Sequence, residues 1–279
     1  MTTDQTATIR VDLNALRGLL QVALANSAKR VALGLRAADL VAADLNLELP
    51  DVNFQLQLAG QQKPGEAEVV RTEFKTWTLC NGLRDSVEAL ASFLEECRTV
   101  CAIYSLGSSF QIQTEDWQKR IVDNAQKFHQ LGLPHKVEHL AREFHSDLRP
   151  SLTSDVLTMN LARNCLVHRK GVVTQLDVNS PDGLRVTWLK PELLVTGKAG
   201  ERVLVLPETV EEGETIAFKQ SPVSRLFKLG ERIEFTPQEF SEMSWTFHAF
   251  SSELVARIEK FGRDRGIVPT ASNSAARQS

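Results

Sequence analysis

Residues 150 to 173 decide the fold, and they read Pro-Ser-Leu-Thr-Ser-Asp-Val-Leu-Thr-Met-Asn-Leu-Ala-Arg-Asn-Cys-Leu-Val-His-Arg-Lys-Gly-Val-Val. Pro150 suits the first turn of a helix, where its missing N–H costs little, and Gly171 suits the residue just past a helix end. The spacing predicts one helix with an apolar stripe of Leu152, Val156, Met159, Leu166 and Val167. Arg163 lies in the middle of that stripe, although a guanidinium is costly to bury without a partner.

A second line of residues follows the same predicted helix. Leu157, Leu161, Asn164 and His168 are three or four residues apart, so they share one side. Both sides of the helix therefore need covering. The helix carries an Arg, an Asn and a His where a purely structural helix would carry more leucine.

Length and composition limit the class of protein. The chain has 279 residues, a formal net charge of -3 and a pI near 6.1, so nucleic-acid binding would have to rest on a local patch. It has no apolar run of about 18 residues, which predicts no transmembrane helix, and its N-terminus lacks the pattern of a secretory signal. The four cysteines form no C-x-x-C pair, which is typical of reduced core residues in a cytoplasmic protein.

The remaining pattern predicts a mainly α protein. Residues 1–171 read as a helical domain and 172–236 as a small antiparallel β subdomain of about five short strands. Residues 237–265 read as an amphipathic helix that packs back on the bundle, and 266–279 as a disordered tail.

Several local predictions refine this picture. The helical domain begins with two helices within residues 9–48, followed by a short strand at 53–58. A long helix over 66–104 carries a sustained buried face, in which Gly82 weakens one turn. Thr236-Pro-Gln-Glu239 has the pattern of a capping box that starts the last helix.

One motif points to a metal. His135-Lys-Val-Glu-His139 matches H-x-x-E-H, the signature of inverted zinc peptidases, with Glu138 as the base. However, Pro134 puts the motif in the first helical turn, and no third ligand follows. We therefore favour two solvent-exposed histidines beside Val137 and Leu140 and predict no metal or other cofactor.

A second constellation points to phosphate chemistry. Arg163 and His168 are about 140° apart around one helix, so they do not easily form a tight pair within one chain. Two copies of the helix packed across a two-fold axis would bring the Arg of one to the His of the other. His168 would then exchange protons with a ribose 2′-hydroxyl or a leaving oxygen. Arg163 would hold the phosphate, and Asn164 would orient His168 or bind phosphate.

Basic residues adjoin this constellation. Arg169 and Lys170 place positive charge directly after it. Three further basic residues, Lys136, Arg142 and Arg149, are predicted to extend the patch.

An earlier cluster on the long helix consists of Arg84, Asp85 and Glu88. It has two interpretations, a solvated i, i+4 ion pair or a carboxylate that orients a cation on the neighbouring helix. The spacing also leaves open a structural alternative, in which Arg163 pairs with Asp85 or Glu88 and His168 caps a carbonyl.

The pattern Arg163-Asn-Cys-Leu-Val-His168 resembles the R-x4-6-H motif of the HEPN superfamily, including the Asn that often follows the Arg. The resemblance covers roughly residues 66 to 173. It implies a HEPN-like helical bundle in which Arg163, Asn164 and His168 are the active residues, supported by the polar cluster on the earlier helix. The β region after residue 171 is not part of a minimal HEPN bundle.

The resemblance also implies a function. Many HEPN proteins are metal-independent endoribonucleases that act as homodimers in toxin–antitoxin, phage-defence or RNA-processing systems. We therefore expect a homodimer with an RNA substrate, an antitoxin or defence-system partner and no membrane association. The alternative is a non-catalytic HEPN-type dimerisation module whose β subdomain binds a partner or ligand.

Overall fold

The computed structural model describes residues 11–42, 65–107, 118–144, 148–197, 200–205 and 208–267. These residues form six α-helices and a three-stranded antiparallel sheet, so the protein is mainly helical as predicted. Helices α1 to α6 are Leu13–Leu40, Glu66–Ser105, Asn124–His129, Leu133–Phe144, Pro150–His168 and Pro237–Asp264. A π-helical segment, Gln118–Asp123, leads into α3, and strands β1 to β3 are Leu184–Gly197, Gly200–Val203 and Thr215–Phe227.

The first two helices form a long antiparallel pair. The prediction of two helices before residue 48 is wrong for the described part, because α1 runs without a break to Leu40. Asp12 caps its start, since its carboxylate accepts hydrogen bonds from the amides of Asn14 and Ala15 at 2.9 and 3.1 Å. The stripe predicted on α2 is confirmed, with Leu83, Leu90, Leu94 and Cys97 fully buried.

Helix α5 lies at the centre of the molecule. It contacts α2, α4, α6 and β1, and Val156, Met159, Ala162 and Cys165 on its buried side are inaccessible to solvent. The core continues into β1 and α6 through Trp188, Phe247 and Phe250. The sheet therefore shares one hydrophobic core with the bundle.

The sheet has three strands in the order β2-β1-β3 where the sequence predicted about five. The first two predicted strands are halves of β1, which continues through Pro191. The missing N–H of Pro191 faces away from β3, so no β1–β3 hydrogen bond is lost there. The last predicted strand, at 232–235, forms only an isolated bridge from Arg232 to Val172.

Two threonines cover the edge of β1 where β2 does not reach. The amide of Thr187 donates to Oγ1 of Thr158 on α5, and the amide of Leu189 donates to Oγ1 of Thr246 on α6, both at 2.9 Å. Both amides point away from β3 and would otherwise be unpaired in a crowded interior. The helices thus replace a missing strand.

Helix α6 closes the bundle as predicted. Thr236 and Glu239 form the expected capping box, with hydrogen bonds of 3.1 and 2.7 Å. None of the described helices is long and apolar enough to cross a membrane. The predicted strand at 53–58 lies outside the described residues, as does the predicted tail from 268 onward.

Helices α1, α2 and α6 pack closely together at Gly82. A Cβ on Gly82 would collide with Val31 of α1 and would lie 2.8 Å from the ring of Phe240 of α6. Its carbonyl also accepts a hydrogen bond from Oγ of Ser27 at 3.1 Å. The glycine is therefore required by packing, which its low helix propensity alone did not reveal.

We expect Gly82→Ala to lower the free energy of unfolding by about 1–3 kcal/mol, because the added methyl group overpacks this junction. The matched control is Gly18→Ala on α1, where a Cβ meets nothing within 4 Å. That change should raise the free energy of unfolding by about 0.5–1 kcal/mol through helix propensity. Urea denaturation of both variants measures the difference, and a stable Gly82→Ala variant would contradict the close approach.

Candidate functional site

The end of α5 is fixed by backbone geometry. Lys170 and Gly171 have φ values of 54° and 76°, and the amide of Gly171 donates to the carbonyl of Cys165 at 3.1 Å. This left-handed turn ends the helix as the sequence predicted. The chain then pairs with the segment before α6, since the amide of Ile233 donates to Gly171 and the amide of Val173 donates to Glu231.

A buried carboxylate holds the same turn. Asp177 is 1% exposed, and Nε of Arg169 donates to both of its oxygens at 2.7 Å. The amide and hydroxyl of Thr174 donate to it at 2.9 Å. Burial acts to raise the pKa of Asp177, but the hydrogen bonds from Arg169 and Thr174 outweigh it, so the pKa lies below its usual value. The positive charge of Arg169 is therefore neutralised within the chain.

Arg163 lies between two acceptors. Its guanidinium donates to the side-chain oxygen of Asn164 and to Oε1 of Glu88 on α2, both at 3.1 Å. The side chain is 23% exposed and that of Glu88 is 50% exposed. Nε of Arg163 is buried and has no hydrogen-bond partner. The guanidinium of Arg163 thus has hydrogen-bond partners for only some of its N–H donors.

The polar cluster on α2 divides into two contacts. Glu88 meets Arg163 and also lies 3.6 Å from Nε of Arg84. Asp85 turns the other way and pairs with Arg30 of α1 at 3.1 Å. Of the two carboxylates weighed from the sequence, Glu88 is therefore the one that contacts Arg163.

His168 lies at the exposed end of α5. Its imidazole makes no hydrogen bond or ion pair with the residues that the structure describes, and neighbouring Lys170 is also exposed. The structural alternative in which His168 caps a carbonyl therefore finds no such contact in this part of the chain. An unbonded imidazole on an ordered helix end is available for proton transfer to a ligand.

A groove runs beside the second line of α5. It has a volume of about 480 Å³ and lies between α4 and α5. Its apolar lining includes Val137, Ala141, Leu148, Pro150, Leu157 and Leu161. Leu157 and Leu161 are only half-buried, and Asn164 and His168 continue their line along the helix. The second side of α5 is thus incompletely covered by the described chain.

The H-x-x-E-H segment forms no metal centre. His135 is exposed, and Nδ1 of His139 lies 2.9 Å from a carboxylate oxygen of Glu143. Throughout the described ranges, no group of three His, Cys, Asp or Glu side chains could hold a metal ion.

Two members of the predicted basic patch have partners of their own. Lys136 is 3% exposed and is paired with Glu95, which leaves it no surface to offer a ligand. Burial acts to raise the pKa of Glu95, but the hydrogen bonds from Lys136 and His129 outweigh it, so the pKa lies below its usual value. Nε of Arg149 donates to Glu253 at 2.7 Å.

No family model, curated protein or solved structure matches the chain.

One feature of the site region was not anticipated from the sequence. Phe74 and Trp77 on α2 stack at a centroid distance of 5.7 Å and are 39% and 60% exposed. Along the helix they share a face with Glu88, since 77 and 88 differ by eleven residues, which is three turns. The sequence did not single out either ring, so only the structure revealed this exposed aromatic pair.

We expect Arg169→Ala to lower the free energy of unfolding by about 3 kcal/mol at neutral pH, because it leaves the buried Asp177 carboxylate without its cation. The matched control, Arg202→Ala, removes the two ion pairs of an exposed arginine with Glu208 and Glu214 and should cost less than about 1 kcal/mol.

The difference between Arg169→Ala and the wild type should depend on pH. In the wild type the lowered pKa of Asp177 stabilises the fold above the unfolded pKa, and this contribution is lost as pH falls through the folded pKa. In the variant, burial without Arg169 shifts that pKa upward. Urea denaturation from about pH 7 to about pH 4 should therefore show a shrinking difference, and a constant one would count against the assignment.

Proposed function

We propose that the protein is a metal-independent endoribonuclease of HEPN type that acts as a homodimer, in a toxin–antitoxin or phage-defence setting. The observation that carries the proposal is the contact of Arg163 with Glu88 beside an unbonded His168. An Arg oriented by a carboxylate from an earlier helix, with Asn directly after it and His on the next turn, suits the R-x4-6-H pattern.

The chemistry follows from the residue types. His168 takes the proton from a ribose 2′-hydroxyl, and the resulting oxygen attacks the adjacent phosphorus. The bond to the 5′-oxygen breaks, that oxygen takes a proton from water, and the protonated His168 returns its proton to the solvent. The products carry a 2′,3′-cyclic phosphate and a 5′-hydroxyl. Arg163 stabilises the negative charge on the phosphoryl oxygens, and Asn164 holds the Arg163 guanidinium from the side.

A second copy of the chain completes the site. Arg163 and His168 lie on different sides of α5, so one phosphate does not easily meet both in one chain. The groove beside Leu157 and Leu161 is lined mainly by apolar side chains, and His168 lies two turns further along the same line of α5. Packing two α5 helices across a two-fold axis fills the groove and brings Arg163 of one protomer toward His168 of the other.

The exposed aromatic pair suits a single-stranded substrate. Trp77 lies about 16 Å along α2 from Glu88, which is within a few nucleotides of the proposed site. Every base has a face that stacks on an aromatic ring, so such a pair binds without sequence preference. Arg84, between Trp77 and Glu88 on this face, is half-exposed and can contact the phosphate backbone.

A non-catalytic HEPN-type module is the second candidate. One observation favours it, because the guanidinium of Arg163 already contacts Glu88 and Asn164 within its own chain. In that case the Arg is a structural anchor between α2 and α5. Catalysis separates the two candidates, since only the nuclease needs His168.

We expect the purified protein to cleave a labelled single-stranded RNA in EDTA, leaving 2′,3′-cyclic phosphate ends. Arg163→Ala and His168→Ala homodimers should each lose at least about 100-fold in rate, the usual contribution of a general acid or base. A heterodimer that combines one chain of each variant should regain cleavage. It keeps one composite site, with Arg163 from one chain and His168 from the other.

The controls distinguish the loss of a site shared between two chains from a loss of folding. Each homodimer should sediment as a dimer and melt like the wild type, because both side chains are at least partly exposed. A heterodimer without activity, beside an active wild type, means that each site lies within one chain. No cleavage by the wild type, together with normal dimerisation, favours the non-catalytic module.

We expect Trp77→Ala to weaken binding of a single-stranded RNA by roughly five- to a hundredfold, since stacking contributes about 1–3 kcal/mol per base. The effect should fall on KM and leave kcat nearly unchanged, because Trp77 is remote from the reacting phosphate. Trp77→Phe keeps an aromatic face and should restore most of the affinity. Fluorescence anisotropy measures binding, and equal losses in both variants would contradict a stacking role.

A further inference from the structure

We define the outer part of the three-stranded sheet, residues 190–197, 200–205 and 208–221, as the arm. Most of its described residues are exposed, including every residue from Thr215 to Lys219. β1 lies in the middle of the sheet, so β2 and β3 are its two edges. The edge of β3 is the longer one, because β3 has 13 residues and β2 has four.

The hydrogen-bond pattern shows which groups face outward from β3. The carbonyl of Leu193 accepts from the amide of Leu204, so the odd-numbered residues of β1 point away from β3. The amides of Thr187 and Leu189 agree, since they donate to α5 and α6. The even-numbered residues of β1 therefore bond to β3.

The strand register shows which residues of β3 bond to β1. Leu194 lies opposite Ala217, so the odd-numbered residues of β3 bond to β1. The backbone groups of Ile216, Phe218 and Gln220 then point to the free edge, where no described residue bonds them. Pro222 is the next outward position, where a missing N–H costs no β1–β3 hydrogen bond. Within the described chain, the free edge is thus a run of donors and acceptors without a hydrogen-bond partner, and it ends at a proline.

The side chains on this edge are those of a binding surface. Ile216 and Phe218 are 56% and 52% exposed and lie on the same face of the strand. Phe218 is held by an edge-to-face contact with Trp245 of α6, at a centroid distance of 5.3 Å. Lys219 is the one charged side chain between Thr215 and Ser221, so little protects this edge against pairing.

Charge decides what the edge can bind. From residue 200 to residue 219 the sequence has five Glu against Arg202 and Lys219, which gives -5 + 2 = -3. Glu211 and Glu212, just before β3, are exposed. This charge repels RNA phosphates, and it also repels the arm of a second copy. It attracts an extended segment with lysine or arginine beside apolar residues.

We propose that the free edge of β3 between Thr215 and Ser221 binds an extended basic segment of another protein, which adds to the sheet as a fourth strand. Main-chain hydrogen bonds to Ile216, Phe218 and Gln220 provide the affinity. Apolar side chains of the segment cover Ile216 and Phe218, and its cations contact Glu211 and Glu212. This surface is independent of the proposed nuclease site.

Gln220 offers a matched pair of variants. Gln220→Pro removes one outward N–H and leaves the β1–β3 hydrogen bonds intact, whereas Gln220→Ala keeps that N–H and removes only the side chain. The probe is a fluorescein-labelled peptide of alternating lysine and valine, beside a control of alternating glutamate and valine. Binding is measured by fluorescence anisotropy with the full-length protein and with its His168→Ala variant.

We expect the lysine peptide to bind the full-length protein, Gln220→Ala and His168→Ala alike. It should bind Gln220→Pro at least about fivefold more weakly, the equivalent of one hydrogen bond. A second variant, Glu211→Lys combined with Glu212→Lys, should weaken the lysine peptide and strengthen the glutamate peptide. It leaves the backbone edge intact and does not depend on how Gln220→Pro folds.

Other results would overturn the proposal. These are equal binding of both peptides, no binding of either, or equal binding by Gln220→Pro and Gln220→Ala. Self-association that Gln220→Pro abolishes would assign the edge to a second copy instead. RNA binding lost on the same substitution would assign it to nucleic acid.

Discussion

The charge of Asp177 is the constraint on which the end of α5 depends. A carboxylate that is 1% exposed keeps its charge only because four donors from Arg169 and Thr174 surround it. To meet them, the chain must turn back directly after the helix. That turn sets where His168 emerges and where the segment before α6 is paired. The candidate site thus owes its geometry to a residue that does not belong to it.

Features set by local chemistry could be predicted from the sequence. The limits of α5, the buried stripe of α2 and the capping box at Thr236 all follow from spacing and turn residues, and each is confirmed. The length of β1 could not be predicted, because the sequence does not say which way the nitrogen of Pro191 faces. That orientation depends on strand pairing, which is a long-range property.

The sequence predicted which residues make up the candidate site, but not how they are arranged. The sequence singled out Arg163, Glu88 and His168, but the choice of Glu88 over Asp85 depends on how α2 is rotated against α5 and α1. Arg169 was expected to supply positive charge, and its neutralisation by Asp177 depends on a turn with no strong sequence signal. The exposed stack of Phe74 and Trp77 carries no signal in the spacing of α2, so only the structure shows it.

The negative charge is also distributed unevenly along the chain. The formal net charge of -3 equals that of residues 200 to 219, so the remaining residues sum to zero. An acidic chain is therefore compatible with a nucleic-acid site on its helices, because the excess negative charge is confined to the arm. The two proposed surfaces lie on different elements and would bind ligands of opposite charge, which allows one chain to hold two ligands without competition.

The threonine hydroxyls that cover β1 give the sheet a gradient of opening free energy. At its base, the amides of Thr187 and Leu189 are bonded to helices in the core, so they exchange with solvent deuterium only when the bundle itself opens. Toward the tip, the amides on the free edge of β3 lack that protection. The arm can therefore fray and re-form repeatedly while the helix that carries His168 remains folded.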